Sequence, residues 1–393
     1  MSEQNSEMTE MGGRRNLLAL LFAGFVLSGI ATTVVGPMLP IFIKRWSLDD
    51  GQAGLFSTTQ FLAALGGTLA SSAIAAWRGY KPALVLGFAL MGGGLACLNA
   101  DTHGVALAAT AAFGLGYGLI TPGTNLFVAE LGGAKSASLL NQLNFAWGAG
   151  AMACSPLIAL ALKRNGLNLL LTGTAIFGGI LVLGLLFASF GEQKHGKDVN
   201  GAGETSPATG LGVTIALAAL FFIYVGTENG IGIWCAEYAR RVANGITGMT
   251  TLAPMFFYAG LTSGRGAAPL VLRHLHERKL VLGALSLLAA ATALLIASRS
   301  LPVATGAVFL AGLGCASVYP IYIAWLSRWY GARAKKFGGI LFALASLGGS
   351  TGTGLIGAVS QYSGSLRIGL LVPLVCALIM IGLVFLLRRR TAA

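Results

Sequence analysis

The chain has 393 residues, of which 55% are hydrophobic and only 10% charged, and it carries a formal net charge of +13. A soluble globular chain carries about 25% charged residues, so this composition excludes a soluble domain and points to a polytopic, all-α membrane protein. The positive charges fall between long apolar stretches, the distribution of a positive-inside membrane protein and not of a nucleic-acid surface.

In chain order, the first apolar run opens after Arg14-Arg15 and continues past Pro40. It exceeds the ~7–15 apolar residues of a cleaved leader and is expected to be the first membrane helix. Twelve spans are predicted, at about 20 residues or more each: 16–44, 51–77, 81–99, 103–131, 135–163 and 166–190, then 210–240, 246–272, 279–298, 301–330, 334–362 and 364–387. The polar stretch between them divides the chain into a tail (1–15), a six-helix bundle (16–190), a linker (191–209), a second six-helix bundle (210–387) and a basic tail (388–393). With both termini inside, 18 of the 26 Lys and Arg lie on the inner side. That bias fixes the expected orientation, with N and C termini cytoplasmic.

The halves also resemble each other. "GLGYGLITP" (114–122) returns as "GLGCASVYP" (312–320), and "LVLG" at 84–87 returns at 280–283. Together these argue for a duplicated six-helix unit, the build of transporters that bind solute near the midplane.

Polar side chains inside the spans are the candidate solute ligands. Gln60 lies in span 2, and Thr121 and Asn125 share a face of span 4 at i, i+4. Span 5 supplies Asn141, Asn144 and Trp147. Membrane-buried amides need partners, either a neighbouring helix or a solute's hydroxyls. In span 7, "FFIYVGTENGIGIW" (221–234) holds the one acid deep within a span, Glu228, with Tyr224 on its face and Asn229 and Trp234 around the curve. A carboxylate there costs about 2.5–3.5 kcal/mol on insertion scales and is expected to face a cavity or a partner. The alternative is a paired or protonated Glu locking helix 7 to a neighbour. In span 10, Tyr319 and Tyr322 stand three apart around Pro320, which implies a local bend; an interfacial aromatic belt is the competing reading.

No catalytic machinery is visible. The four histidines lie in loops, the five cysteines show no metal-ligand spacing, and neither a Walker A sequence nor HExxH occurs. No enzyme activity, metal or cofactor is expected.

Several segments carry a family resemblance: "RGYKPALVLG" (78–87), "GLITPGTNLF" (118–127), "NQLNFAWGAGAMACSPL" (141–157), "YVGTENGIGIW" (224–234), "GLTSGRGAAPL" (260–270) and "GLGCASVYP". Over its whole length the chain resembles the major facilitator superfamily, most of all its fucose:proton-symporter branch of sugar permeases. The resemblance implies twelve helices in two pseudo-symmetric bundles, alternating access, and a gate at the inner loops to which Arg78, Lys81 and Arg265 are assigned. The family's acid before that loop's Gly is absent, since Ala76-Trp77-Arg78 precede Gly79. The branch's carboxylates in spans 1 and 4 are likewise replaced by Gly36 and Thr121, which leaves Glu228 as the embedded coupler.

The expected function is movement of a small polar solute, a monosaccharide or polyol, either coupled to H+ through Glu228 or by facilitated diffusion. Export of amphipathic compounds, kept open by "PMFFY" (254–258), and a non-transporting receptor or scaffold are the rivals. The expected setting is a bacterial inner membrane, as a monomer in the lipid bilayer without nucleic-acid partners.

Overall fold

The computed structural model describes residues 2–132, 136–188, 190, 211–246, 248–330 and 334–391, and among these the regular structure is entirely helical. The expected linker at 191–209 lies outside the described residues. The first half contains α1 (Ser2–Thr33), α2 (Val35–Trp46), α3 (Asp50–Arg78), α4 (Tyr80–Cys97), α5 (His103–Gly132), α6 (Ser136–Lys163) and α7 (Leu167–Phe187). The second contains α8 (Leu211–Val242), α9 (Gly248–Thr251), α10 (Ala253–Val271), α11 (Glu277–Ala297) and α12 (Leu301–Cys315). It ends with α13 (Val318–Tyr330), α14 (Ala334–Ser363), α15 (Leu366–Gly369) and α16 (Leu371–Thr391).

Among the described residues, ten stretches are long and apolar enough to cross a membrane, and each coincides with an expected span. The other two expected spans fall on α10, whose 19 residues reach about 28 Å at ~1.5 Å each, and on the 30-residue α14. Both are diluted by polar and small residues: Thr262, Ser263 and Arg265 in the first, and the run Ser346 to Gly354 in the second. The chain is a multi-pass membrane protein with its backbone polar groups satisfied inside helices, as hydrocarbon demands.

Among the described residues, sixteen helices arise from twelve spans partly because prolines interrupt them. A proline ring collides with the carbonyl four residues back and removes a hydrogen bond. Pro37 therefore breaks the first span after Thr33, Pro320 breaks the tenth at Ala316-Ser317, and Pro373 breaks the twelfth at Leu370. The expected bend at Pro320 is thus an interruption one turn earlier. Three helices end on a left-handed residue, Ser47, Asn165 and Asn244. In each case the next N–H reaches back to a carbonyl of the last turn: Leu48 to Ile43, Gly166 to Ala161 and Gly245 to Arg240, at 2.8–3.1 Å.

Two compact units emerge. The first comprises Met1–Thr32, Leu62–Cys154 and Ala161–Gly201. The second comprises Thr33–Phe61, Ser155–Leu160 and Ala202–Ala393. Within the first, α1 and α6 touch backbone to backbone, and a side-chain carbon added to Gly150 would lie 2.0 Å from the Val26 carbonyl oxygen. Within the second, α8 and α14 repeat the arrangement, and the same carbon on Gly348 would lie 2.0 Å from the Phe222 oxygen. Without a hydrophobic force between helices in lipid, such close approach is what holds them. The two contacts are separated by nearly the same chain distance as the sequence repeats, so the duplication extends to the packing. The second unit's core is aromatic, with Phe221, Tyr224, Trp234, Tyr238, Phe257 and Tyr322 all buried.

Candidate functional site

The second unit brings the acid of α8 to a cation of α10. Glu228 lies on the interior of its helix with its side chain 12% exposed, and Arg265 Nη2 stands 3.7 Å from Glu228 Oε1. That separation is an ion contact beyond hydrogen-bond range. Tyr224, one turn before Glu228, is fully buried; its hydroxyl donates to the Cys315 carbonyl at 2.9 Å and also faces the Glu228 carboxyl. Tyr224 packs on Tyr319 (5.8 Å, stacked) and Tyr322 (6.1 Å, edge-on), and Phe221 completes the aromatic wall. Here α12 and α13 meet at the interruption caused by Pro320, which frees the Cys315 carbonyl to accept from a side chain.

Two polar atoms in this region are buried without a hydrogen-bond partner: Arg265 Nε and Tyr322 Oη. The Arg265 side chain is nevertheless 31% exposed, so part of the guanidinium remains reachable. Arg265, expected at an inner-side gate, lies within α10 beside Glu228, and its position inside span 8 is the signal for this pairing that the sequence offers.

The remaining candidates divide between the units. Asn229, half-buried, donates to Val225 O at 2.9 Å. Gln60 is buried in the second unit. Trp234 was expected among the solute ligands, but it is completely buried and donates its indole N–H to Thr353 O at 3.0 Å. Its large ring fills the joint between α8 and α14, so it is a packing residue. In the first unit, Thr121 donates to Tyr117 O, Asn125 to Thr121 O and Asn144 to Leu140 O, at 2.8–2.9 Å. Each of these three side chains bonds its own helix four residues back. Asn141 and Asn144 are exposed, and Trp147 donates to Thr32 Oγ1 at 3.1 Å. Arg78 is exposed and stacks over Trp77. Lys81 donates to Leu186 O and Ala188 O at 2.8 and 3.0 Å, where it caps the negative end of α7.

A second charged cluster in the second unit joins helix ends far apart in sequence. Asp50, at the start of α3, accepts two guanidinium N–H groups from Arg241 and the Ser360 hydroxyl. Glu237, with a fully buried side chain, accepts from Arg240 at 2.6 and 2.7 Å and from Arg241 at 2.7 Å. The Gln361 side-chain oxygen accepts from the Asp50 backbone N–H at 3.2 Å. The cluster binds α3, α8 and α14 together. Among the described residues no group of His, Cys, Asp and Glu is arranged to hold a metal.

The fold is shared with several solved transporters. The chain aligns with the inward open xylose transporter XylE from E. coli at TM-score 0.72 and 15% identity, covering 93% of this chain and 95% of that one. A nucleoside transporter, NupG, aligns at TM-score 0.73 and 16% identity over 95% and 98% of the two chains. The E. coli fucose:proton symporter FucP aligns at 0.61 and 17% over 94% and 98%. Comparison with curated protein sequences gives no match. The sequence model described as the Major Facilitator Superfamily matches residues 21–297, and the helical fold, the repeated glycine contacts and this match together establish that the chain belongs to that superfamily.

Proposed function

We propose that the chain moves a small, polar, hydroxylated solute, of the monosaccharide or polyol type, across the bacterial inner membrane by alternating access. Uptake is coupled to H+ through Glu228. The observation that carries this reading is a single acid deep in an apolar helix, mostly buried and held at ion-contact distance from Arg265. An intramembrane carboxyl is costly and persists where it pairs, titrates or lines a water-filled path. As the site opens to each side in turn, Glu228 takes up a proton from one and releases it to the other. The sugar, fucose and nucleoside transporters that share the fold are consistent with a polar solute.

Of "PMFFY", Phe257 and Tyr258 are buried, whereas Met255 and Phe256 are half-buried and keep export of amphipathic compounds as the second reading.

Proteoliposomes test the coupling. Glu228→Gln is expected to abolish pH-driven accumulation while sparing counterflow exchange. Accumulation that persists in the variant overturns the role of Glu228 and assigns the coupling to another group.

A further inference from the structure

The two arginine clusters of the second unit make opposite use of the same side chain. Arg241 is satisfied: its Nε donates to Glu237, and Nη1 and Nη2 donate to Asp50. Arg265 is not. It makes one ion contact at 3.7 Å, its Nε is buried with no acceptor, and about a third of its side chain stays open. A guanidinium has five N–H donors in a planar fork that matches a carboxylate bidentately. Leaving such donors unpaired in a low-dielectric interior is expensive, and an acceptor supplied from outside the protein removes the cost.

We propose that this acceptor is a carboxylate on the solute, so that the chain carries hydroxylated monocarboxylates, such as sugar acids, with one proton placed on Glu228. The inference rests on the transport reading above and narrows it.

The charge balance of the site sets the stoichiometry. Glu228 and Arg265 together are neutral when both are ionised. An arriving carboxylate leaves the pair one negative charge in excess, next to Glu228, and like charges at close range in a poor dielectric cannot both persist. A proton from the same side converts the Glu228 carboxylate to the acid, releases Arg265 from its ion contact and restores neutrality. Solute and proton leave together on the other side, and the Glu228–Arg265 contact re-forms in the empty carrier. One anion moves with one proton, and no net charge crosses. The groups facing Glu228 from its neighbours are Arg265 on α10, Cys315 on α12 and, on its own helix, Tyr224. Among these, Arg265 is the group that binds an anion. Asn229, one position on, has its amide N–H tied to Val225 O, which leaves the amide oxygen to accept from a solute hydroxyl.

The test compares D-gluconate with D-glucitol, the same carbon skeleton with a carboxylate in place of a terminal alcohol. D-glucuronate with D-glucose and D-glycerate with glycerol are parallel pairs. Wild-type chain in proteoliposomes is given an inward proton gradient, with and without a potassium diffusion potential. At least one carboxylate is expected to enter about tenfold or more faster than its neutral partner, at a rate the potential does not change. Arg265→Gln, used only where it elutes monodisperse like wild type, should lower that uptake about tenfold or more, and Arg265→Lys should recover part of it. Neutral partners entering as fast as the acids, or faster, overturn the inference and leave the transport reading standing. Carboxylate uptake that follows the membrane potential overturns the one-proton balance. If no solute enters with any gradient, both readings fail.

Discussion

Replacing Asp50 with Asn and Arg241 with Gln, singly and together, measures how far the cluster acts as a unit. Asp50 is 7% exposed and accepts two N–H groups from Arg241, one of them at 3.0 Å, besides the Ser360 hydroxyl. Hydrogen bonds to charged groups contribute about 1.5–3 kcal/mol each, so the two between this pair are worth about 3–6 kcal/mol before discount. The Arg241 side chain is 32% exposed, and it keeps Glu237 when Asp50 is lost. Solvent and the second acid therefore recover much of that sum, and the expected coupling is about 2 kcal/mol, a factor of about 30 in an equilibrium constant. The measurement is a double-mutant cycle on reversible unfolding in mixed detergent micelles. High salt should weaken the coupling only partly, because screening reaches a mostly buried pair poorly. Single-variant losses that add to within about 0.5 kcal/mol of the double variant would refute the argument.

Gly150→Ala and Gly348→Ala should each destabilise by about 1–3 kcal/mol through overpacking, whereas Gly173→Ala, with open space around it, should change unfolding by no more than about 1 kcal/mol and in the stabilising direction. Equal effects at all three positions would remove the close-approach explanation. Trp234→Phe should cost about 1–3 kcal/mol of stability from the lost bond to Thr353 and lost volume, while the transport KM stays within about twofold; a large rise in KM would put the indole in the solute path. Lys81→Gln should lower stability by about 0.3–1 kcal/mol by uncapping α7 and leave the transport rate intact. Loss of transport with unchanged stability would return Lys81 to a gating role.

Glu228 stood out in the sequence because ionisable groups inside apolar runs are so few that one suffices as a signal. Its partner was less legible. Arg265 sits near basic loop residues, and a linear reading that sorts cations by side has no way to see that α10 brings it 3.7 Å from Glu228. Asp50 and Arg241 carry opposite charges, yet nothing in the sequence pairs them. Their separation of 191 positions hides the pairing itself. Trp234 shows the opposite failure. Its indole looked available on a helical wheel, but a wheel does not show which face another helix covers.

The sequence alone determined the spans, since stretches of about 20 apolar residues have no other stable setting. It marked the break in span 10 through Pro320 but not the others, since Pro40, Pro122, Pro156 and Pro269 sit inside unbroken helices. It carried the duplication as well, visible in spaced motifs and again in paired glycine contacts. Tertiary structure decided which polar groups meet. Burial and pairing depend on how α8 lies against α10, α12 and α14, and those contacts join positions tens to hundreds of residues apart, beyond the reach of any local pattern.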